Sequence, residues 1–383
     1  MNRIALSMLF GDRGKTLTII VGITFAALIM TQQPSIFVGL MTRTYSFLGD
    51  IGGVDIWVMD PGVQYVEEHK PLRDTDLARI RGVDGVEWAA PLYKNFFTAK
   101  LPDGSTRTIA INGLDDATLI GAPKMVQGRL DDIRSADGVI VDIEAARTKL
   151  RVTLPNGKDR PLMIGDEMEL NDKRAVVVGL ASVTRDFTLQ PAVFTTYSRA
   201  ISYTPPQRRK LTYVLVKAQA GVDKEALSKR IAQSTGLKAM THEEFKDLTL
   251  NYWMKNTGIP INFGISVALG FIVGAAIAGQ AFFNFVRENF KQYAALKAMG
   301  LRTRILVRMV LLQALVVGCI GYGIGVGVTT LFGYQVRDSV LAFRMPPELL
   351  LFSGAGVFLI VGLAALLAIR YVIKVDPAVV FRG

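Results

Sequence analysis

The sequence is poor in the residues from which most enzymes build their sites. It holds one cysteine, Cys319, and two histidines, His69 and His242, in 383 residues. A lone thiol closes no disulfide within the chain, so any exported part must be held by packing. Two imidazoles and one thiol are too few for the N/S ligand sets of zinc sites. The string His242-Glu243-Glu244 has Lys246 where a zinc-protease helix needs its second histidine. No Gly-x-Ser-x-Gly elbow occurs. Gly14-Lys15-Thr16 lacks a phosphate loop's first glycine, because Leu9 stands there. The apolar runs contain almost no ionisable residue, which argues against an ion or proton relay. These absences predict a chain with no catalytic residue, no metal and no cofactor of its own, driven by energy from elsewhere.

What the chain has is apolar length. Half of its residues are hydrophobic and its mean hydropathy is +0.32, too high for an ordinary soluble domain. Runs at 261–286, 303–333 and 348–370 each exceed the roughly 18 residues that suggest a membrane crossing. A fourth, 16–41, is interrupted by Thr31-Gln32-Gln33-Pro34. Residues 17–30 have the length of a signal-peptide core, but no small-x-small site follows and apolar character resumes at 36–41, so an uncleaved first helix is expected. The polar stretch 42–260 is long enough to bury a core of its own. The fold class expected is therefore membrane α-helical, with four spans and a large extracytoplasmic α+β domain inserted between the first two.

The net charge of +11 is not spread evenly. Arg3, Arg13 and Lys15, then Arg287, Lys291, Lys297, Arg302, Arg304 and Arg308, then Arg370, Lys374 and Arg382 face only Asp12, Glu288 and Asp376. Short basic flanks stay in the cytoplasm. The segment 1–15, the loop 287–302 and the tail 371–383 are thus expected inside, with 42–260 and the short loop 334–347 outside. This predicts a multi-pass membrane protein. The excess charge beside the spans fits anionic lipid rather than nucleic acid.

Within 42–260 the alternation predicts strands at 54–59, 86–100, 106–113, 167–170, 175–180 and 211–217. Short helices are expected at 74–81, closed by Gly82, and at 223–234, capped by Asp223. The stretch 241–255 carries Phe245, Leu248, Tyr252 and Trp253 at helical spacing and reads as a stalk or interfacial helix. No internal repeat or low-complexity tract appears, and the domain could be of two lobes.

The spans carry small-residue stripes, Gly270, Gly274 and Ala278 in one and Gly318, Gly321, Gly323, Gly325 and Gly327 in the next. Such stripes let helices approach closely, within a bundle or across a dimer. Gln32, Gln33 and Pro34 form either a kink or a polar notch in a lateral entry for amphipathic cargo. Between the second and third spans, residues 287–300 read as a basic helix with Phe290, Tyr293 and Leu296 on one exposed apolar face, stopped by Gly300. Such a helix lies on lipid or inserts into a groove on a cytoplasmic partner.

The run from Gln292 to Gly300 resembles the coupling-helix signature of FtsX-like, or MacB-like (type VII), ABC transporter permeases. The tail 374–382 resembles their closing motif through Asp376 and Pro377. The motif Gly52-Gly53-Val54-Asp55-Ile56-Trp57-Val58 and the pair Tyr252-Trp253 are similar to the DevC-type subgroup, named for a glycolipid exporter; Gln292 stands where the signature usually has Glu. The resemblance spans the whole chain in the order span, outer domain, three spans. It implies a homodimer that binds a cytoplasmic ABC ATPase dimer, where ATP and Mg are held. It further implies the bacterial inner membrane with 42–260 and 334–347 in the periplasm, a periplasmic membrane-fusion (HlyD-like) adaptor and an outer-membrane TolC-like channel. By the same resemblance Phe290, Gln292, Tyr293, Leu296, Lys297, Gly300, Asp376 and Pro377 are coupling residues. Two readings follow: export of a lipid-like or amphipathic cargo driven by the partner's ATP hydrolysis, or mechanotransmission that regulates a periplasmic hydrolase or sensor without transport.

Overall fold

The computed structural model describes residues 2–204, 211–337 and 339–373. They form two compact units, one of the described residues within 2–40 and 257–373 and one of those within 41–256.

In chain order the elements begin with α1 (Asn2–Gly11), α2 (Arg13–Arg43), α3 (Ser46–Asp50), β1 (Ile56–Met59), α4 (Asp74–Arg81), β2 (Val86–Lys100), β3 (Thr106–Leu114) and β4 (Lys124–Gln127). After a 3-10 turn at Leu130–Arg134 come β5 (Gly138–Asp142), α5 (Ile143–Arg147), β6 (Val152–Thr153), β7 (Asp159–Arg160), β8 (Glu167–Leu170) and β9 (Lys173–Ser182). Then follow β10 (Ala192–Thr196), α6 (Tyr197–Tyr203), β11 (Tyr213–Ala218), α7 (Lys224–Thr235), β12 (Lys238–Thr241) and α8 (His242–Asn256). The last four helices are α9 (Ile259–Glu288), α10 (Phe290–Ala298), α11 (Thr303–Val336) and α12 (Pro347–Ile373).

Helices α2, α9, α11 and α12 are each long and apolar enough to span a bilayer, as the hydropathy predicted. On α9 the side chains Ile261, Ile265, Leu269 and Ile272 are exposed while Gly270, Gly274 and Ala278 are buried. Over this first part of α9 large side chains thus face outward and small ones inward, which suits a helix solvated by lipid, and toward its end Phe282, Phe285 and Val286 turn into the core. Four glycines of the stripes are used against α2 inside the bundle, while Gly323 and Gly327 are exposed. A Cβ on Gly270 or Gly274 would collide with Ile29 or Ala26 of α2, and one on Gly321 or Gly325 would stand 2.7 Å or 2.5 Å from Ile23 or Ala27 of the same helix. Helix α2 is therefore clasped on two sides by backbone.

The 31-residue helix α2 also continues unbroken past the expected interruption, with Pro34 inside it. Proline cannot donate to the carbonyl one turn back. Nearby the hydroxyls of Thr31 and Ser35 donate to Ala27 O at 2.7 Å and Thr31 O at 2.6 Å, and both side chains are fully buried. Such bonds within the helix satisfy hydroxyls in an apolar medium. Gln32, Gln33 and Pro34 are half-buried on it.

In the other unit nine strands run in the order β12-β1-β11-β2-β3-β10-β5-β9-β4, with β8 attached to β2 and β9. The 15-residue strand β2 joins two wings. Its first half, Val86 to Leu92, pairs antiparallel with β11, and its second half, Tyr93 to Lys100, pairs antiparallel with β3. Alternation explains why the first wing holds two apolar layers. Ile56, Val58, Val214 and Val216 pack with Ile80, Leu227 and Ile231 of α4 and α7 on one face. Trp57, Met59, Tyr213 and Leu215 pack with Phe245 of α8 on the other. The expected strands and helices are present, with Asp223 Oδ1 accepting from Glu225 N and Gly236 closing α7 at φ +73°. The sequence reading missed β4, β5, β6, β7, β10 and β12; the parallel pairings of β5 with β9 and of β10 with β3 are built by long crossovers.

Candidate coupling site

Helix α10 is set off from α9 by Asn289, whose Nδ2 donates to Phe285 O at 2.8 Å. Its far end is a Schellman closure. Gly300 N donates to Lys297 O at 3.0 Å and Leu301 N to Leu296 O at 3.2 Å, with Gly300 at φ +89°. A side chain at that φ would be strained, which is why the helix stops at a glycine.

The apolar face of this helix points inward, contrary to the exposed face expected from sequence. Tyr293 is 0% and Leu296 9% exposed, and both belong to the bundle core with Leu306, Met309 and Val310. The physical reason is the usual one for amphipathic helices: an apolar stripe is buried wherever the same chain offers a partner. Phe290 is half-buried, its ring 5.2 Å from that of Tyr371 on α12. Lys297 is half-buried, and Gln292 and Gly300 are exposed. What faces outward is Arg287, Lys291, Gln292, Met299, Arg302 and Arg304, with Met299 70% exposed. Sequence reasoning missed that face as a unit; the complement of the 3.6-residue apolar stripe would have found it. Asp376 and Pro377 lie outside the described residues.

A buried polar chain fixes α10 in place. Tyr293 OH donates to Gln313 Oε1 at 2.9 Å, and Gln313 Nε2 donates to Ala5 O of α1 at 2.8 Å. Gln313 is fully buried in α11. Both ends of its amide are used, so α1, α10 and α11 are tied by one side chain. Lys15, bonded to Asp12 and Glu288 at 2.6 Å each, links the start of α2 to the end of α9.

The outer unit has polar groups of its own in unusual places. Asp55, in the glycine-rich motif, is 7% exposed. Burial would raise its pKa, but Lys224 at 2.7 Å, Lys217 at 3.0 Å and Ala218 N at 3.1 Å hold the carboxyl below its ordinary value. It thereby fastens β1 to β11 and α7. At the point where β2 changes partners, Lys94 Nζ donates to Glu67 Oε1 at 2.7 Å and sits 3.6 Å from the Phe47 ring centroid. His69 Nε2 stands 3.7 Å from Glu67 Oε2, and neither atom has a hydrogen-bond partner. Burial and the nearby Lys94 charge push His69 down to about 3, so it is neutral at ordinary pH.

Comparison with known proteins gives the same two parts. Residues 16–234 match the MacB-like periplasmic core domain, and residues 264–377 match the C-terminal part of FtsX-like permeases. An uncharacterized ABC transporter permease of Mycobacterium tuberculosis, found in two strains, is 26% identical over 350 residues, covering 87% of this chain and 86% of the relative. Among solved structures, the periplasmic region of MacB from Actinobacillus actinomycetemcomitans aligns with a TM-score of 0.37 and 16% identity, covering 52% of this chain and 94% of that one. The extracellular domain of the ABC-type transporter YknZ from Gram-positive bacteria aligns with a TM-score of 0.35 and 15% identity, covering 49% and 98%. With the core-domain family covering more than half of the chain and the permease family most of the rest, this protein belongs to the MacB-like and FtsX-like ABC transporter permeases.

Proposed function

We propose that the chain is the non-catalytic subunit of an export complex in which a separate cytoplasmic ATPase dimer, holding ATP and Mg, drives two copies of this permease. The observation that carries the reading is the anchoring of α10. The helix is bonded through Gln313 to α1 and α11 while its outer face stays basic and open. A push on such a face is passed to the bundle rather than absorbed by local bending. In this reading both termini and α10 face the cytoplasm of an inner membrane and residues 42–260 face the periplasm. The cargo is lipid-like or amphipathic, and Gln32, Gln33 and Pro34 mark its lateral entry. A membrane-fusion adaptor and an outer-membrane channel complete the path. Asp376 and Pro377 position the tail beside the ATPase.

The test is affinity purification of the tagged protein from native membranes in mild detergent, with mass spectrometry of what accompanies it. The expected companions are an ABC ATPase and a membrane-fusion adaptor. An ATPase with a hydrolase or kinase and no adaptor would replace export by mechanotransmission; no ATPase at all would overturn both.

A further inference from the structure

Four aromatic rings of the outer unit pack on one another instead of on its cores. Tyr65 stacks on Tyr252 at 4.5 Å between centroids, Trp253 lies 5.7 Å from Tyr65, and Phe187 lies 4.2 Å from Trp253. All four are half-buried, and none belongs to the three apolar clusters of that unit. Large rings in a soluble domain ordinarily contribute by core burial. These do not, and Met254 beside them is 47% exposed.

Their place in the chain supplies a reason. Helix α8, which carries Tyr252 and Trp253, ends at Asn256, and the span α9 begins at Ile259. The loop that carries Phe187 also meets the chain where it leaves the first span: Ser46 Oγ is 3.1 Å from Arg43 O and 3.2 Å from Arg185 O. Thr184 of the same loop donates to Asp50 from its backbone N at 2.8 Å and from its hydroxyl at 2.6 Å. One loop therefore gathers both the entrance and the exit of the domain, and both are continuous with membrane helices. Tryptophan and tyrosine are favoured where an apolar ring body and a polar tip meet the headgroup layer. Arg43 and the exposed Lys255 supply the cations that such a layer attracts.

We infer that Tyr65, Phe187, Tyr252 and Trp253 form a shelf that seats the outer domain on the phospholipid headgroups of its own membrane. The shelf is independent of whether the complex exports or only transmits force.

The full-length protein in nanodiscs containing phospholipid brominated high on the acyl chain, next to the headgroup, tests this by tryptophan quenching. Of the three tryptophans, Trp57 is fully buried and Trp88 half-buried, so the lipid-dependent loss of emission is expected from Trp253. It should disappear in Trp253→Phe, which keeps a ring in place, and persist in Trp88→Phe. Bromine near the acyl terminus should quench less. Equal quenching in wild type and Trp253→Phe, no quenching in either, or stronger quenching by the deep bromine would overturn the proposal.

Discussion

Two buried polar residues hold the most chemical consequence per atom. His69 stays neutral in the folded chain down to about pH 3, whereas its ordinary value is 6.5. Between those values the unfolded chain binds a proton that the folded chain refuses. Stability therefore falls as pH drops below about 6.5, by up to about 1.4 kcal/mol per pH unit from this group. The full-length protein in detergent should lose thermal stability between neutral pH and about pH 5, and His69→Gln should flatten that slope; an unchanged slope would remove His69 from the account. Its neighbour Lys94 has its charge buried against Glu67. Removing one partner of a buried pair costs about 3–5 kcal/mol, because the other charge is left alone. Lys94→Met should accordingly lower the melting temperature strongly, and adding Glu67→Gln should recover part of the loss in the same assay. Neither member of the Lys94–Glu67 pair was legible in the sequence: a lysine inside a strand and a glutamate in a loop look like surface until the partner change of β2 folds over them.

At the scale of elements, α10 shows what periodicity can and cannot say. The helix, its glycine stop and its apolar stripe were all readable from 287–300. The direction of the stripe was not, because Leu306, Met309 and Val310, which cover it, arrive from the next helix. The consequence is a separable pair of substitutions. Leu296→Asp places a charge in the bundle core and should prevent folding, read as loss of monodisperse protein in detergent. Met299→Asp together with Arg302→Glu changes only exposed positions and should leave folding intact while abolishing ATPase co-purification; retained co-purification would move the contact elsewhere. Gln313→Leu leaves Tyr293 OH and Ala5 O without the amide they share, at a cost of about 1–3 kcal/mol per buried group. Tyr293→Phe in the same chain should be nearly without further effect, a non-additivity that a double-mutant cycle in thermal stability would detect. The glycine stripes were readable as close-packing surfaces but not as to which helix they meet: Gly270, Gly274, Gly321 and Gly325 meet α2, whereas Gly318 meets Val361 of α12 and Gly323 and Gly327 have no neighbour within 4 Å.

At the scale of the molecule, the order of span, outer domain and three further spans was legible because long apolar runs and basic flanks are signals of composition, not of contact. Of the strands that were missed, β5 and β10 owe their positions to parallel pairing across long crossovers, which no local pattern encodes. Strand β2, paired with β11 in one wing and with β3 in the other, is common to both. The outer unit should therefore open as a single cooperative body: amides of β1 and β11 and those of β3 and β10 should show the same global protection in hydrogen exchange, and independent opening of either wing would contradict it.

The shared strand also restricts how such a domain can be rebuilt. Residues 86–100 satisfy the hydrogen bonds of two neighbours along one continuous backbone, so a chimera that joins one wing to a foreign counterpart has no valid junction inside them. Recombination of wings must carry the whole strand and cut in the turns at either side, at Val83-Asp84-Gly85 or at Pro102-Asp103-Gly104.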